Sequence, residues 1–386
     1  MKYLLVLGTQ RSGKTLISRA LNTHPNIILQ MEPFFFFFKM CRNILFRDVL
    51  KKTDFDPDYP MDSGFCKSHE EKQLLKEYFL RLEFTHSDIE ELKVLTVKQN
   101  REKMRAPKII PFLDKLQAGT APTVLKCLLG ILNEAYKKQE VMFVGLSEGW
   151  CDEYIEILLN YDDMDFRCIH CIRDPRAIVA SRNGDSKLHV GKYPLLFIIR
   201  HWRKTIAYSI LCKDNPKYMS VRYENVVREP EKWFREICGF MGVPFSERLL
   251  ETALYVNGDG SLWQRNTAYK GPIKEGFSTD SVERWEGILS RDEVGFIEYL
   301  CKAEMDYLGI KRKNQTFSLR DLVAFREDEN AIIDWLKKYN LTINDEELNL
   351  EIVRKYLIEN QVKHVNDMML NYFVIDKDVA KKLKPF

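Results

Sequence analysis

The chain has 386 residues, 45% hydrophobic and 30% charged, enough to bury the core of one large domain with room for an appendage. With 59 basic residues against 56 acidic ones the net charge is +3, which excludes a dominant nucleic-acid or acidic-membrane partner and leaves room for a local basic pocket. No apolar run approaches the roughly 20 residues that span a bilayer.

The nine cysteines are scattered and odd in number, the usage expected of free thiols in a reducing, cytoplasmic setting. Cys168 and Cys171 form a C-x-x-C. They fall in a strand-like run where residues three apart face opposite ways, so small core residues are expected there rather than a metal site.

The apolar start of the chain is too short for a signal peptide, and Arg11 and Lys14 follow at once. Tyr3–Leu7 reads as a buried strand, Gly8–Gly13 as a turn, and Leu16, Ile17, Ala20 and Leu21 recur at helical spacing. His24-Pro25-Asn26 stops that helix before a short second strand, Ile27–Leu29. Residues 34 to about 135 are helical in pattern and read as an insertion, the usual origin of a substrate lid. A strand at Val141–Val144, a helix at Asp152–Asn160 and a strand at Phe166–Ile172 follow. Asp174-Pro175 supplies an N-cap and a first-turn proline for the next helix. A helix over Leu195–Leu211 and a strand over Tyr218–Tyr223 complete the alternation.

Alternating strands and helices predict an α/β fold, a three-layer α/β/α sandwich with a central parallel sheet built around a P-loop. The sequence divides into a domain over residues 1–313, with the insertion at 34–135, and a helical C-terminal appendage over 314–386. Asn344 with Glu347 resembles a capping pair in that appendage, which is open to self-association or to contact with the acceptor.

Gly8-Thr9-Gln10-Arg11-Ser12-Gly13-Lys14-Thr15 follows a strand, opens a helix and fits G-x-x-x-x-G-K-[ST]. Glycines let the backbone curl so that N–H groups converge, the helix N-terminus adds positive potential, and Lys14 adds a full charge. One candidate ligand is ATP with magnesium, making the chain a kinase or NTPase with Asp174 as the metal-binding carboxylate. Asp174 is wanted as a helix cap, however, and no other strand ends in a similar acidic residue.

The segment Ile169-His-Cys-Ile-Arg173-Asp-Pro-Arg176-Ala-Ile-Val-Ala-Ser181-Arg182 resembles the 3′-phosphate motif of the sulfotransferases. The loop Arg11, Ser12, Gly13, Lys14, Thr15 is similar to that family's 5′-phosphosulfate loop, particularly in tyrosylprotein and carbohydrate-type members, with Gln10 in place of the usual Pro. Ser220–Pro230 resembles the family's R-Y-E-D-L…P element, Arg265–Gly271 its nucleotide-covering loop, and Arg284-Trp285 its closing R-W element. The resemblance runs in order over about residues 1–310.

It implies a transferase that moves a sulfuryl group from 3′-phosphoadenosine 5′-phosphosulfate (PAPS) to a hydroxyl or amine and releases 3′-phosphoadenosine 5′-phosphate (PAP), with no metal required. Arg173 and Ser181 would grip the 3′-phosphate, Tyr223 the adenine, and Lys270 and Gly271 would cover the nucleotide. By the same resemblance Glu32 would be the catalytic base beside Lys14, and the apolar Phe34 and Phe35 next to it would raise its pKa. His69 and His86 are weaker candidates for the base. Glu148 stands where many relatives carry a Lys. The acceptor class stays open among peptide tyrosine, glycan, lipid and small metabolite, as does a non-catalytic module that kept the nucleotide pocket.

Overall fold

The structure is a computed structural model and describes residues 1–61, 69–184, 191–263, 276–314, 316–339, 342–360 and 377–383. Five strands, β1 (Lys2–Leu7), β2 (Ile27–Met31), β5 (Phe143–Ser147), β6 (Phe166–Ile172) and β7 (Tyr218–Arg222), form a parallel sheet in the order β2-β5-β1-β6-β7. Two further strands, β3 (Glu83–Phe84) and β4 (Gly119–Thr120), make a small antiparallel pair inside the insertion.

Each central strand feeds two cores by alternation. Tyr3, Leu5 and Leu7 enter one apolar cluster, while Leu4 and Val6 enter the other. β6 does the same, with Cys168 on one side and Cys171 on the other, so the C-x-x-C pair is split by the sheet. The helices Lys14–Thr23 and Pro230–Met241 cover one face through Ile17, Leu21, Phe234 and Ile237. The insertion helices and Leu195–Leu211 cover the other.

Two strands outrun the sequence reading. β2 continues through Gln30 to Met31, and β5 starts at Phe143 and runs on to Ser147. The added residues Gln30 and Ser147 are polar but buried in the sheet. The run of five phenylalanines opens the helix Phe35–Ile44, and Phe34, Phe37 and Phe38 lie in the core, with Phe37 stacked on Phe84 at 5.5 Å.

The C-terminal residues share this core rather than a separate one, since Leu322, Leu336, Leu348, Ile358 and Leu383 belong to the main apolar cluster. Asn344 caps the helix Asp345–Glu359 by accepting from Glu347 N–H at 3.0 Å. Arg203 reaches Glu351 from the helix Leu195–Leu211 at 2.6 and 2.9 Å, Arg200 adds a bond at 2.7 Å, and Arg354 pairs with Glu304. All but Arg200 of these groups are buried.

Removing one partner of such a buried set strands the others, a loss of roughly 3–5 kcal/mol. Glu351→Ala is therefore expected to lower the unfolding free energy measured by chemical denaturation by an amount in that range. Burial pushes the Glu351 carboxyl up, but Arg203 and Arg200 outweigh it and hold it well below the ordinary 4.5. The stabilisation is thus complete above the ordinary carboxylate range and fades as pH falls below it, so the gap between wild type and Glu351→Ala narrows in acid melts.

Candidate active site

β1 and β6 are neighbours in the sheet and both end at the same edge, which sets the two anion motifs side by side. The loop after β1 turns at Gly8 (φ 134°) and Gly13 (φ 94°). A Cβ on Gly8 would sit 2.3 Å from the Cys171 carbonyl, and one on Gly13 would sit 2.2 Å from the Tyr223 ring, so both positions need glycine for closeness as well as for conformation. Lys14 is 5% exposed and donates to the carbonyls of Gly8 (2.8 Å) and Thr9 (3.2 Å). Burial pushes its ammonium down to about 8, against the opposing pull of Cys171, Asp152 and Glu148.

The second motif closes directly on the first. Arg173 donates to the Arg11 carbonyl at 3.0 Å and to the Ser281 carbonyl at 2.7 Å, and Arg11 Nε donates to Ser181 Oγ at 3.0 Å. The Tyr223 ring packs under the Arg173 guanidinium at 4.3 Å, and its hydroxyl meets Ser281 Oγ at 2.6 Å. Burial, then Arg173, Arg182 and Arg284, push the Arg11 guanidinium down to about 10. Four guanidinium groups thus crowd one region, an arrangement relieved by a multiply charged anion. Among the described residues the buried Ser12 Oγ and Arg173 Nε have no hydrogen-bond partner, which fits phosphate oxygens at both motifs.

The helix Leu195–Leu211 braces both motifs from behind. Trp202 Nε1 donates to the Arg173 carbonyl at 2.8 Å, and Thr205 meets Thr9 hydroxyl to hydroxyl at 3.0 Å. Thr205 also bonds Asp152 (3.4 Å), which bonds His170 (2.7 Å), which bonds Tyr218 (2.8 Å), a polar chain sealed in the core. Trp202 and Trp285 are core residues, the latter stacked 4.0 Å from the Arg176 guanidinium.

Glu32 follows β2 in a left-handed conformation, φ 43°, uncommon for a residue with a side chain. Its N–H donates to the Ser147 carbonyl at 2.7 Å, and its carbonyl accepts from Gln99. Asn100 donates to the Pro33 carbonyl at 2.9 Å. Glu32 Oε2 pairs with Arg105, a residue of the insertion. The expected apolar surroundings are therefore not found: Phe34 turns into the core, and a guanidinium rather than a hydrocarbon wall stands beside this carboxylate.

Glu148, at the end of β5, is fully buried and accepts from Phe34 N–H at 2.8 Å, and its Oε2 has no partner among the described residues. Burial raises its carboxyl to about 8, against the Phe34 hydrogen bond and the charges of Arg105 and Lys14. It does not replace a surface cation but pins the turn that carries Glu32.

Arg11, Ser12, Gly13, Lys14, Thr15, Arg173, Ser181 and Tyr223 all belong to this edge of the sheet, and Lys14 Nζ and Glu32 Oε1 both border Gly149. Lys270 and Gly271 lie outside the described residues. His86 is exposed at the first position of its helix, and the side chain of His69 lies outside the described residues. Asp174 caps the helix Pro175–Asn183, and both its oxygens are taken by Arg176, at 3.0 and 2.6 Å, so it does not serve as a magnesium ligand. Sequence reasoning missed Arg105, which sits in an insertion of unfamiliar pattern, and gave no role to Arg182, although that residue closes the second motif.

A model described as the sulfotransferase family matches residues 165–247, which include Arg173, Ser181 and Tyr223. Carbohydrate sulfotransferase 1 of Homo sapiens is 23% identical over 363 residues, covering 84% of this chain and 84% of its own length. Carbohydrate sulfotransferase 3 of Mus musculus is 22% identical over 368 residues, 82% of this chain and 70% of its own. Among solved structures, the sulfotransferase domain from the curacin biosynthetic pathway aligns over 78% of this chain and 97% of its own at 14% identity and a TM-score of 0.42. The chain is thus similar to sulfotransferases over most of its length, and these similarities support an enzyme of sulfuryl transfer.

Glu148→Gln tests the buried carboxyl. A folded-state pKa raised above 4.5 means the native state keeps a proton the unfolded state has lost, so stability falls as pH rises from 4.5 to about 8. The Gln variant removes this cost. It should melt higher than wild type near pH 8, with the difference shrinking toward pH 5.

Proposed function

We propose that the chain transfers the sulfuryl group of PAPS to a carbohydrate hydroxyl. The observation that carries this reading is the contact of Arg173 and Ser181 with Arg11, which makes the two anion motifs one continuous surface at the ends of adjacent strands. PAPS supplies a sulfuryl group on a phosphate leaving group. Arg173, Ser181 and Arg11 would bind its 3′-phosphate, with Arg182 and Arg284 adding charge, while Ser12, Gly13, Lys14 and Thr15 receive the 5′ end.

The Lys14 ammonium then faces the oxygen on which charge builds, and Glu32 Oε1 takes the proton of the attacking hydroxyl. The acceptor oxygen–sulfur bond forms as the sulfur–phosphate oxygen bond breaks, in line, and PAP leaves. Arg105 holds Oε2, so that Oε1 is the oxygen left to meet the acceptor. A carbohydrate acceptor is supported by the names of the relatives, and the insertion at 34–135, which supplies Arg105, is the segment we assign to the acceptor side. A cytoplasmic site of action is part of the same proposal, supported by eight described cysteines that are free thiols.

PAP without metal should raise the melting temperature, by mass action, more than ATP with magnesium does. Arg173→Ala should abolish that shift. Glu32→Gln should keep it while turnover with a carbohydrate acceptor falls about 10²-fold or more. Stabilisation by ATP–Mg²⁺ alone would refute the donor assignment.

A further inference from the structure

Ser147, Glu148, Gly149 and Trp150 leave the sheet together under the space between the loop and Glu32. The first two hold the Glu32 turn, through the Ser147 carbonyl and the Glu148 carboxyl. Gly149 does something different. A Cβ built on it would lie 3.6 Å from Lys14 Nζ and 3.7 Å from Glu32 Oε1, and these are the two heavy atoms it would meet within 4 Å beyond its chain neighbours. The absent side chain therefore marks a point that the ammonium and the carboxylate both border.

Neither usual reason for glycine applies here. Its φ lies outside the left-handed region, unlike those of Gly8 and Gly13. The contacts a Cβ would make are ordinary van der Waals contacts, unlike those at Gly145, where a Cβ would fall 2.6 Å from the Leu4 carbonyl. Folding admits a methyl group at 149.

We propose that Gly149 keeps open the passage in which the acceptor hydroxyl meets the sulfuryl group between Lys14 and Glu32, so that side-chain size at this position sets whether transfer occurs. The inference rests on the reading above, with Lys14 on the leaving-group side and Glu32 on the attacking side. An in-line displacement needs a clear line between them, because the attacking oxygen, the sulfur and the leaving oxygen must lie along it. A methyl group in contact with both charged atoms takes up space beside each of them. It also strips water from the carboxylate that must accept the proton. The 3′-phosphate surface around Arg173 and Ser181 is built by other strands and is untouched.

The test compares Gly149→Ala and Gly149→Val with the wild-type full chain in three measurements: thermal melting, the shift produced by PAP, and kcat and KM for sulfate transfer from PAPS to a carbohydrate acceptor. PAP lacks the sulfuryl group, so it reports on the donor pocket alone. The expected result is a Gly149→Ala protein that melts like wild type and responds fully to PAP, with kcat/KM lowered at least about tenfold and lowered further in Gly149→Val. Wild-type kcat/KM in Gly149→Ala would overturn the inference. So would loss of the PAP response in a folded Gly149→Ala protein, since the glycine would then serve the nucleotide pocket. Should Gly149→Val not fold, Gly149→Ala decides alone. A wild-type chain that ignores PAP would overturn the donor reading, and the role of Gly149 with it.

Discussion

A lysine ammonium held 5% exposed against two carbonyls of its own loop is the constraint on which the rest of this structure turns. Taking a charge out of water is costly unless dipoles or counter-charges surround it. The fold supplies them in layers. The loop carbonyls of Gly8 and Thr9 lie closest, with Asp152 in the layer behind. The arginines of the second motif face the same edge with little acidic compensation, so the edge as a whole is set to receive negative charge.

Glu32 is held by several restraints at once. Its backbone is tied to Ser147 and Gln99, the following residues to Asn100 and Glu148, and its carboxylate to Arg105. Such over-determination is what allows a residue to persist at positive φ. It also fixes which carboxylate oxygen is presented to Lys14, a matter of orientation that a surface glutamate would leave to chance.

Much of this was legible in the sequence. The G-x-x-x-x-G-K-T loop, the Arg173–Ser181 spacing and the alternation of strands and helices carry their own physical signals, and each stands where the pattern put it. Less legible were features that depend on tertiary burial. Gln30 and Ser147 lay beyond the strands read at Ile27–Leu29 and Val141–Val144, although the sheet buries both. Glu148 read as a misplaced charge because nothing local shows that a backbone N–H from Phe34 would meet it. Arg105 was invisible because its partner is 73 residues away in a segment whose helical pattern gives no hint of which face turns to the site.

The salt-bridged contact between Glu351 and the helix Leu195–Leu211 ties the far end of the chain to the catalytic edge. The same helix that Glu351 grips through Arg200 and Arg203 carries Trp202 against the Arg173 carbonyl and Thr205 against Thr9. The last described segments thus help to hold the helix that braces both anion motifs. Damage there would loosen the backing of Thr9 and Arg173, more than a hundred residues away in the sequence, and would be mistaken for a lesion in the motifs themselves.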